Sequence, residues 1–208
     1  MAAPELTESR LFPEKRGDNM EMKDKNRLTE REFLEVYAQK DYPRPYLTAD
    51  VVLFSENKGG VLLVKRKGHP FIGKWALPGG FANANESLAD TALRELREET
   101  GIDSLSGSDI EEVGLFSNPG RDPRGWVVSE AYMAMVSQKE IAPKAGDDAA
   151  EAGWFTIVVD DHDGLILSRG DIRLYVNGER SDLAFDHGEM LITALKKFIY
   201  RRKEWIYA

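Results

Sequence analysis

Cysteine is absent from the 208 residues, which excludes disulfides and thiolate metal sites without favouring any compartment. Histidine is scarce. His69, His162 and His187 are scattered without ligand spacing; His187 is expected at a helix start beside Asp186, and none is assigned a catalytic part. Basic side chains are in deficit, 28 against 36 acidic ones. The resulting charge of −8 argues against a general nucleic-acid binder. No run approaches the ~20 apolar residues of a membrane span. The opening MAAPELTESRLFPEK also lacks the apolar core of a signal peptide. The expectation is therefore no nucleic-acid partner, no membrane and a cytoplasmic location.

What is present is an ordinary globular composition, 42% hydrophobic and 31% charged, with room for one well-cored domain. The informative stretch is Gly80–Ile102, GFANANESLADTALRELREETGI. Glu95 and Glu99 are four apart and Glu95 and Glu98 three apart, so on a helix they cluster on one face. Like charges at that spacing cost a few tenths of a kcal/mol each, roughly, and a solvated helix normally alternates them with lysine. Gathered carboxylates suit a hard divalent cation, which prefers oxygen ligands. An acidic protein acting on polyanionic phosphates must also recruit cations. Glu95, Glu98 and Glu99 are the candidate ligand set, against the plainer alternative of a charged surface helix.

Residues 1–28 are polar and read as a flexible arm, with a single domain expected over 29–208. Thr29 and Glu32 form a capping-box signal for a helix over about 30–40. Leu47–Phe54 and Val61–Lys65 read as strands around a turn at Asn57, Gly59 and Gly60. The tight turn at Pro78-Gly79-Gly80 lets bare backbone approach a ligand. A helix is expected from about Glu86 to Thr100, capped by Asn83 or Asn85 and stopped by Gly101. Its buried stripe is Leu88, Ala89, Ala92, Leu93 and Leu96. Ile110–Ser117, Trp126–Val136 and Gly153–Val159 read as strands, with an acidic loop at Gly146–Glu151. Leu165–Ser168 and Ile172–Val176 suggest a hairpin, with Asn177-Gly178 as its outer turn. Asp186 is expected to cap a final amphipathic helix over about 187–203.

Arg121 and Arg124 bracket a proline turn, and Arg66 lies at a strand end. Guanidinium forks match phosphate oxygens, so all three are substrate-binding candidates, although the turn arginines could simply pair with Asp122. Trp75, Phe71 and Tyr46 could stack on a base and are favoured as core.

Gly80, then Glu86 after five residues, then Arg94-Glu95-Leu96-Arg97-Glu98-Glu99-Thr100-Gly101-Ile102 after seven more, resembles the Nudix box at every specified position. The resemblance implies an α/β/α sandwich around a mixed sheet, here with an extra N-terminal arm and helix and a C-terminal helix. It implies Mg2+ or Mn2+ on Glu95, Glu98, Glu99 and the backbone carbonyl of Gly79, with Arg94 orienting the carboxylates and Glu86 as its partner. Family members draw the general base from the box or from a later loop. Glu151 is the later-loop candidate, with Asp147 or Asp148 as further ones, and a solvated acidic loop is the alternative.

Tyr42-Pro43-Arg44-Pro45, Lys74-Trp75-Ala76-Leu77-Pro78-Gly79-Gly80 and Gly120-Arg121-Asp122-Pro123-Arg124-Gly125 resemble the ADP-ribose pyrophosphatase-like branch. The same features occur in Nudix-type regulators of NAD metabolism, which carry a winged helix after the corresponding final helix. The intact box, and an end at Ala208 soon after that helix, are expected to favour an enzyme. The implied reaction is Mg2+-dependent hydrolysis of ADP-ribose to AMP and ribose 5-phosphate by a homodimer acting on a nucleotide-sugar or nucleotide. Alternatives are a nucleoside triphosphate pyrophosphatase and a non-catalytic ADP-ribose sensor.

Overall fold

The computed structural model describes residues 22–56, 59–137, 149–159, 164–177 and 180–207, the last seven as backbone alone. Two units are distinguished, Met1–Pro43 and Arg44–Ala208. The first holds α1 (Glu30–Ala38), started by the expected capping box between Thr29 and Glu32. This helix, expected to open the main domain, belongs with the N-terminal unit instead. Phe33, Tyr37 and Tyr42 stack in series there. Most of the arm expected over 1–28 lies outside the described residues.

The second unit is built on a mixed sheet of β1 (Tyr46–Ser55), β2 (Gly60–Arg66), β3 (Trp75–Ala76), β4 (Gly79–Phe81), β5 (Glu111–Phe116), β6 (Val127–Val136), β7 (Ala149–Val159), β8 (Leu165–Arg169) and β9 (Ile172–Val176). The main path runs β5-β6-β1-β2-β7-β8-β9, with β3 on β2 and β4 on β1. Only β1 and β6 are parallel, paired along ten residues. β1 and β2 pair with each other only beside their turn, at Phe54↔Val61 and Ser55↔Gly60. Further along, β1 takes β4 as partner at Thr48–Asp50, while β2 takes β3 at Val64 and Lys65. The sheet therefore parts between its two central strands, and residues 75–81 fill the opening.

Both faces of the centre are covered, which explains why β1 and β2 are nearly continuous apolar runs. Ala49, Val51, Leu53 and Leu62 pack with Ala92 and Leu96 of α2 (Leu88–Thr100). Val52, Phe54, Val61 and Leu63 pack on the other side with Met190, Leu191 and Ala194 of α3 (His187–Tyr207). This is the expected α/β/α sandwich. Among the described residues no helix is long and apolar enough to cross a membrane.

Several boundaries differ from the sequence expectation for local reasons. α2 starts two residues later, because Ser87 Oγ accepts from the Asp90 N–H and is its cap. Asn85 instead takes a left-handed conformation, and Glu86 accepts from the Asn83 N–H at 2.6 Å ahead of the helix. Gly101 ends α2 in the left-handed region, as expected. β7 begins at Ala149, because pairing with Lys65 and Arg66 draws the end of the acidic stretch into the sheet. Asp147, Asp148, His162 and Gly178 lie outside the described residues.

Leu96 is 1% exposed in the interface between α2 and the sheet. Leu96→Ala is expected to lower unfolding stability by about 3 kcal/mol, read as a lower urea midpoint at unchanged slope.

Candidate active site

The opening between β1 and β2 is the floor of a cavity of about 600 Å3. Asp50, Arg66, Glu95, Glu99, Arg124 and His187 are among the groups lining it. That volume suits a nucleotide-sized ligand.

Glycine is required at position 79 by the approach of backbone atoms, and at position 80 it leaves room for the Glu95 carboxylate. A Cβ on Gly79 would collide with the Ala49 carbonyl and the Asp50 side chain. A Cβ on Gly80 would lie 2.5 Å from the Glu95 carboxylate. Their absence brings the turn onto β1 and α2 at once. The Gly79 N–H then donates to Glu99 Oε2 at 3.1 Å.

Arg94 organises the rest of the acidic face. Its guanidinium donates to both oxygens of Glu86 at 2.8 and 3.1 Å, to Glu95 at 2.7 Å and to Glu98 at 3.0 Å. A further bond at 2.9 Å reaches the Phe81 carbonyl. The Arg94 bonds hold the Glu86 carboxyl down at about 2. Glu95 and Glu99 line the cavity, whereas Glu98 is outside its lining and half exposed. Burial pushes the Glu99 carboxyl up to about 8 against the Gly79 hydrogen bond, and the nearby Glu95 and Asp50 charges push the same way. Burial also raises Glu95.

The acidic face thus carries more negative charge than its neighbours neutralise, and its donors are all oxygen. By that chemistry it fits a hard divalent cation. Among the described residues no three acidic or histidine side chains stand in a metal-holding arrangement as placed.

The cavity lining also includes cations set on aromatic rings. Arg124 lies 4.6 Å from the Phe81 ring and 5.4 Å from the Phe185 ring, while Arg66 lies 4.9 Å over Phe185. Phe71 meets Phe185 edge-on at 4.8 Å, and both residues adopt left-handed backbone conformations. Arg66 Nε donates to the Pro70 carbonyl at 2.8 Å, and Arg66 makes no ion pair among the described residues. Arg124 is bound by Asp122 through two nitrogens.

Arg121, expected to reach substrate, gives its fork to both oxygens of Asp186 at 2.6 and 2.7 Å and is 4% exposed. Asp186 is correspondingly committed to Arg121, although it was expected to cap α3. Glu151 stands on β7 outside the cavity lining, its carboxylate bonded to Arg169. Trp75 is core, edge-on to Phe155, whereas Tyr46 is exposed beside Phe81.

Sequence reasoning missed the buried polar group beneath the turn. His187 is 5% exposed, and its Nδ1 accepts from the Leu77 N–H at 2.9 Å. Its Nε2 faces Asp50 Oδ1 at 3.5 Å, and Asp50 Oδ2 accepts from Ser129 Oγ at 2.5 Å. Burial pushes His187 down to about 3 and Asp50 up to about 6. The only sequence signal for this group was a lone aspartate inside the apolar run of β1.

The NUDIX domain model matches residues 44–159. The chain is 34% identical over 176 residues to the ADPR responsive transcriptional repressor NtrR of Acinetobacter baylyi, covering 83% of this chain and 62% of that protein. It is 41% identical over 116 residues to an ADP-ribose pyrophosphatase of Methanocaldococcus jannaschii, covering 56% of this chain and 64% of that one. The chain therefore spans less than two thirds of the length of either relative.

Among solved structures, a MutT/nudix family protein from Enterococcus faecalis superposes with a TM-score of 0.73 at 41% identity, over 83% of this chain and 70% of that one. The NUDIX domain of Shewanella oneidensis NrtR, complexed with ADP ribose, superposes with a TM-score of 0.62 at 32% identity, over 82% and 99%. Because the matched span covers more than half of the chain and contains the turn and helix that form the acidic face, this protein belongs to the Nudix family.

Proposed function

We propose that this chain hydrolyses the diphosphate linkage of a nucleoside diphosphate derivative, with ADP-ribose giving AMP and ribose 5-phosphate. One observation carries the reading: a single cavity is lined both by under-neutralised carboxylates, Glu95 and Glu99, and by the guanidinium groups of Arg66 and Arg124. A diphosphate bridged to that acidic face by a cation satisfies both walls. The ADP-ribose named for the Shewanella neighbour and the ADP-ribose pyrophosphatase from Methanocaldococcus support the choice of substrate.

Glu95, Glu99, Glu98 and the Gly79 carbonyl would hold Mg2+ or Mn2+, with Glu98 supplied from the exposed side of Arg94. The bound cation would offset phosphoryl charge and ease loss of a proton from the attacking water. Arg94 fixes the carboxylate directions and leaves Glu99 to the Gly79 N–H. Arg66 lines the cavity and makes no ion pair among the described residues, and its planar fork suits two phosphoryl oxygens. Arg124 keeps the Phe81 and Phe185 rings in line, while Arg121 braces α3. Water adds to one phosphorus and the bridging oxygen leaves with the other product. Glu151, given to Arg169, takes no part in that proton transfer. The assembled form proposed is a homodimer.

A second reading, an ADP-ribose-responsive regulator, is favoured by the likeness to the Acinetobacter repressor over 83% of this chain. Turnover separates the two. With Mg2+ or Mn2+, a panel of nucleoside diphosphate derivatives and triphosphates resolved by chromatography is expected to show AMP and ribose 5-phosphate from ADP-ribose. Release of pyrophosphate from triphosphates alone would reject the substrate, and binding of ADP-ribose without turnover would favour the regulator.

Glu99→Gln is expected to reduce kcat by about 1,000-fold or more, roughly 4 kcal/mol of barrier, with an unchanged circular dichroism spectrum. Near-normal turnover would reject the ligand set. Arg66→Ala is expected to raise KM about 10-fold with a smaller change in kcat. Steady-state kinetics on Glu151→Gln should stay within about threefold of the parent, since a half-exposed ion pair contributes little.

A further inference from the structure

The buried group under the glycine turn has no part in the reaction described above, yet it links that turn to β1, β6 and the start of α3. Two bonds join the residues entering α3 to the residues entering the turn. The Ala184 N–H donates to the Trp75 carbonyl at 2.8 Å, and the Leu77 N–H donates to His187 Nδ1 at 2.9 Å. One peptide later, the Pro78 carbonyl accepts from the Val51 N–H at 2.8 Å, and Gly79 then donates to Glu99. The turn is therefore fastened from below by His187 and β1, and from the side by α2.

The imidazole is itself held. Accepting from Leu77 leaves Nδ1 without a proton, so a neutral ring carries its proton on Nε2, facing the Asp50 carboxylate. Asp50 is fixed in turn by Ser129 on β6. Arg121 fastens Asp186, the residue before His187, to the 118–125 loop.

We propose that His187, oriented by Asp50 and Ser129, is a positioning residue that sets the Leu77–Gly79 backbone and thereby aligns Gly79 and Glu99 to receive the divalent cation. This rests on the reading of the acidic face as a cation site. Groups behind the ligands commonly matter this much: their loss weakens metal binding by about 10- to 100-fold.

The deciding measurement is Mn2+ binding to the whole chain, followed by the electron paramagnetic resonance signal of free Mn2+, with no substrate and no turnover. His187→Phe keeps a ring of similar size beside Phe185 and removes the acceptor for the Leu77 N–H. Its dissociation constant is expected to rise about 10- to 100-fold. His187→Asn restores an acceptor near the Nδ1 position and is expected to return within about threefold of the parent. Failure of the asparagine to rescue would mean that ring packing alone matters, and would overturn the proposal. So would a folded His187→Phe protein with the parent's affinity.

Should His187→Phe not fold, Ser129→Ala decides instead. It leaves Asp50 without its hydroxyl donor and is expected to weaken Mn2+ binding severalfold, and parental affinity there overturns the proposal. A parent chain that binds no Mn2+ overturns both this inference and the cation site on which it rests. A parent that binds Mn2+ while the variants are indifferent removes the positioning role alone.

Discussion

The site depends on one constraint: several carboxylates must stay close together in a half-buried cleft. Mutual repulsion and lost hydration both oppose this, and Glu99 shows the strain in a carboxyl pushed up to about 8 by burial, with Glu95 and Asp50 acting in the same sense. Two devices hold the arrangement. Arg94 spreads one positive charge over Glu86, Glu95 and Glu98 and anchors itself on the Phe81 carbonyl. The Gly79 N–H holds Glu99, which lies outside that guanidinium's set of partners. One arginine and one backbone amide thus orient the carboxylates while leaving their charge only partly cancelled. The remainder is what would attract the proposed cation.

The sheet supplies the room. Had β1 and β2 paired along their whole length, Asp50 and Lys65 would face each other across the ladder and no cleft would exist. Instead the hairpin opens after two residue pairs, and Trp75–Phe81 enters as two short strands on separate partners. Because the entering turn carries glycine at both close contacts, it reaches β1 and α2 together. Arg66, the last residue of β2, lines the same cavity as Glu95 and Glu99. Acidic and basic walls therefore follow from a single topological event.

How much of this the sequence disclosed depended on range. The spacing of Glu95, Glu98 and Glu99 is a property of one helix, so the acidic face was legible at once, as were the strands β1 and β2 and the Gly101 stop. Local competition among polar residues was harder: Asn83, Asn85 and Ser87 can each cap a helix, and the side-chain bond to Asp90 selected Ser87. Arg121 was unreadable because its partner, Asp186, is 65 positions away. The same holds for Leu77 and His187, separated by 110 positions, and for Asp50 and Ser129, separated by 79. A short motif reports the groups that meet a ligand, whereas the groups that hold the motif in place come from wherever the fold brings them.

That distinction bears on how one fold serves the functions named for its relatives. A repressor responsive to ADP-ribose and an ADP-ribose pyrophosphatase both resemble this chain. Recognition of a diphosphate needs cationic groups and a cavity of the right size, which in the proposed reading Arg66, Arg124, Phe81 and Phe185 would supply without Glu99. Hydrolysis needs in addition a correctly aligned acidic face, which here depends on Arg94, Gly79 and the polar group beneath them. Selection for binding alone would relax the second set and spare the first. In this chain both sets are present, and the second is bonded within itself: Arg94 reaches Glu86, Glu95 and Glu98, and Glu99 is tied to the turn. An arrangement that concentrates negative charge against its own electrostatics is costly for a protein that only has to bind an anion. The presence of such an arrangement is the physical argument for the proposed catalysis.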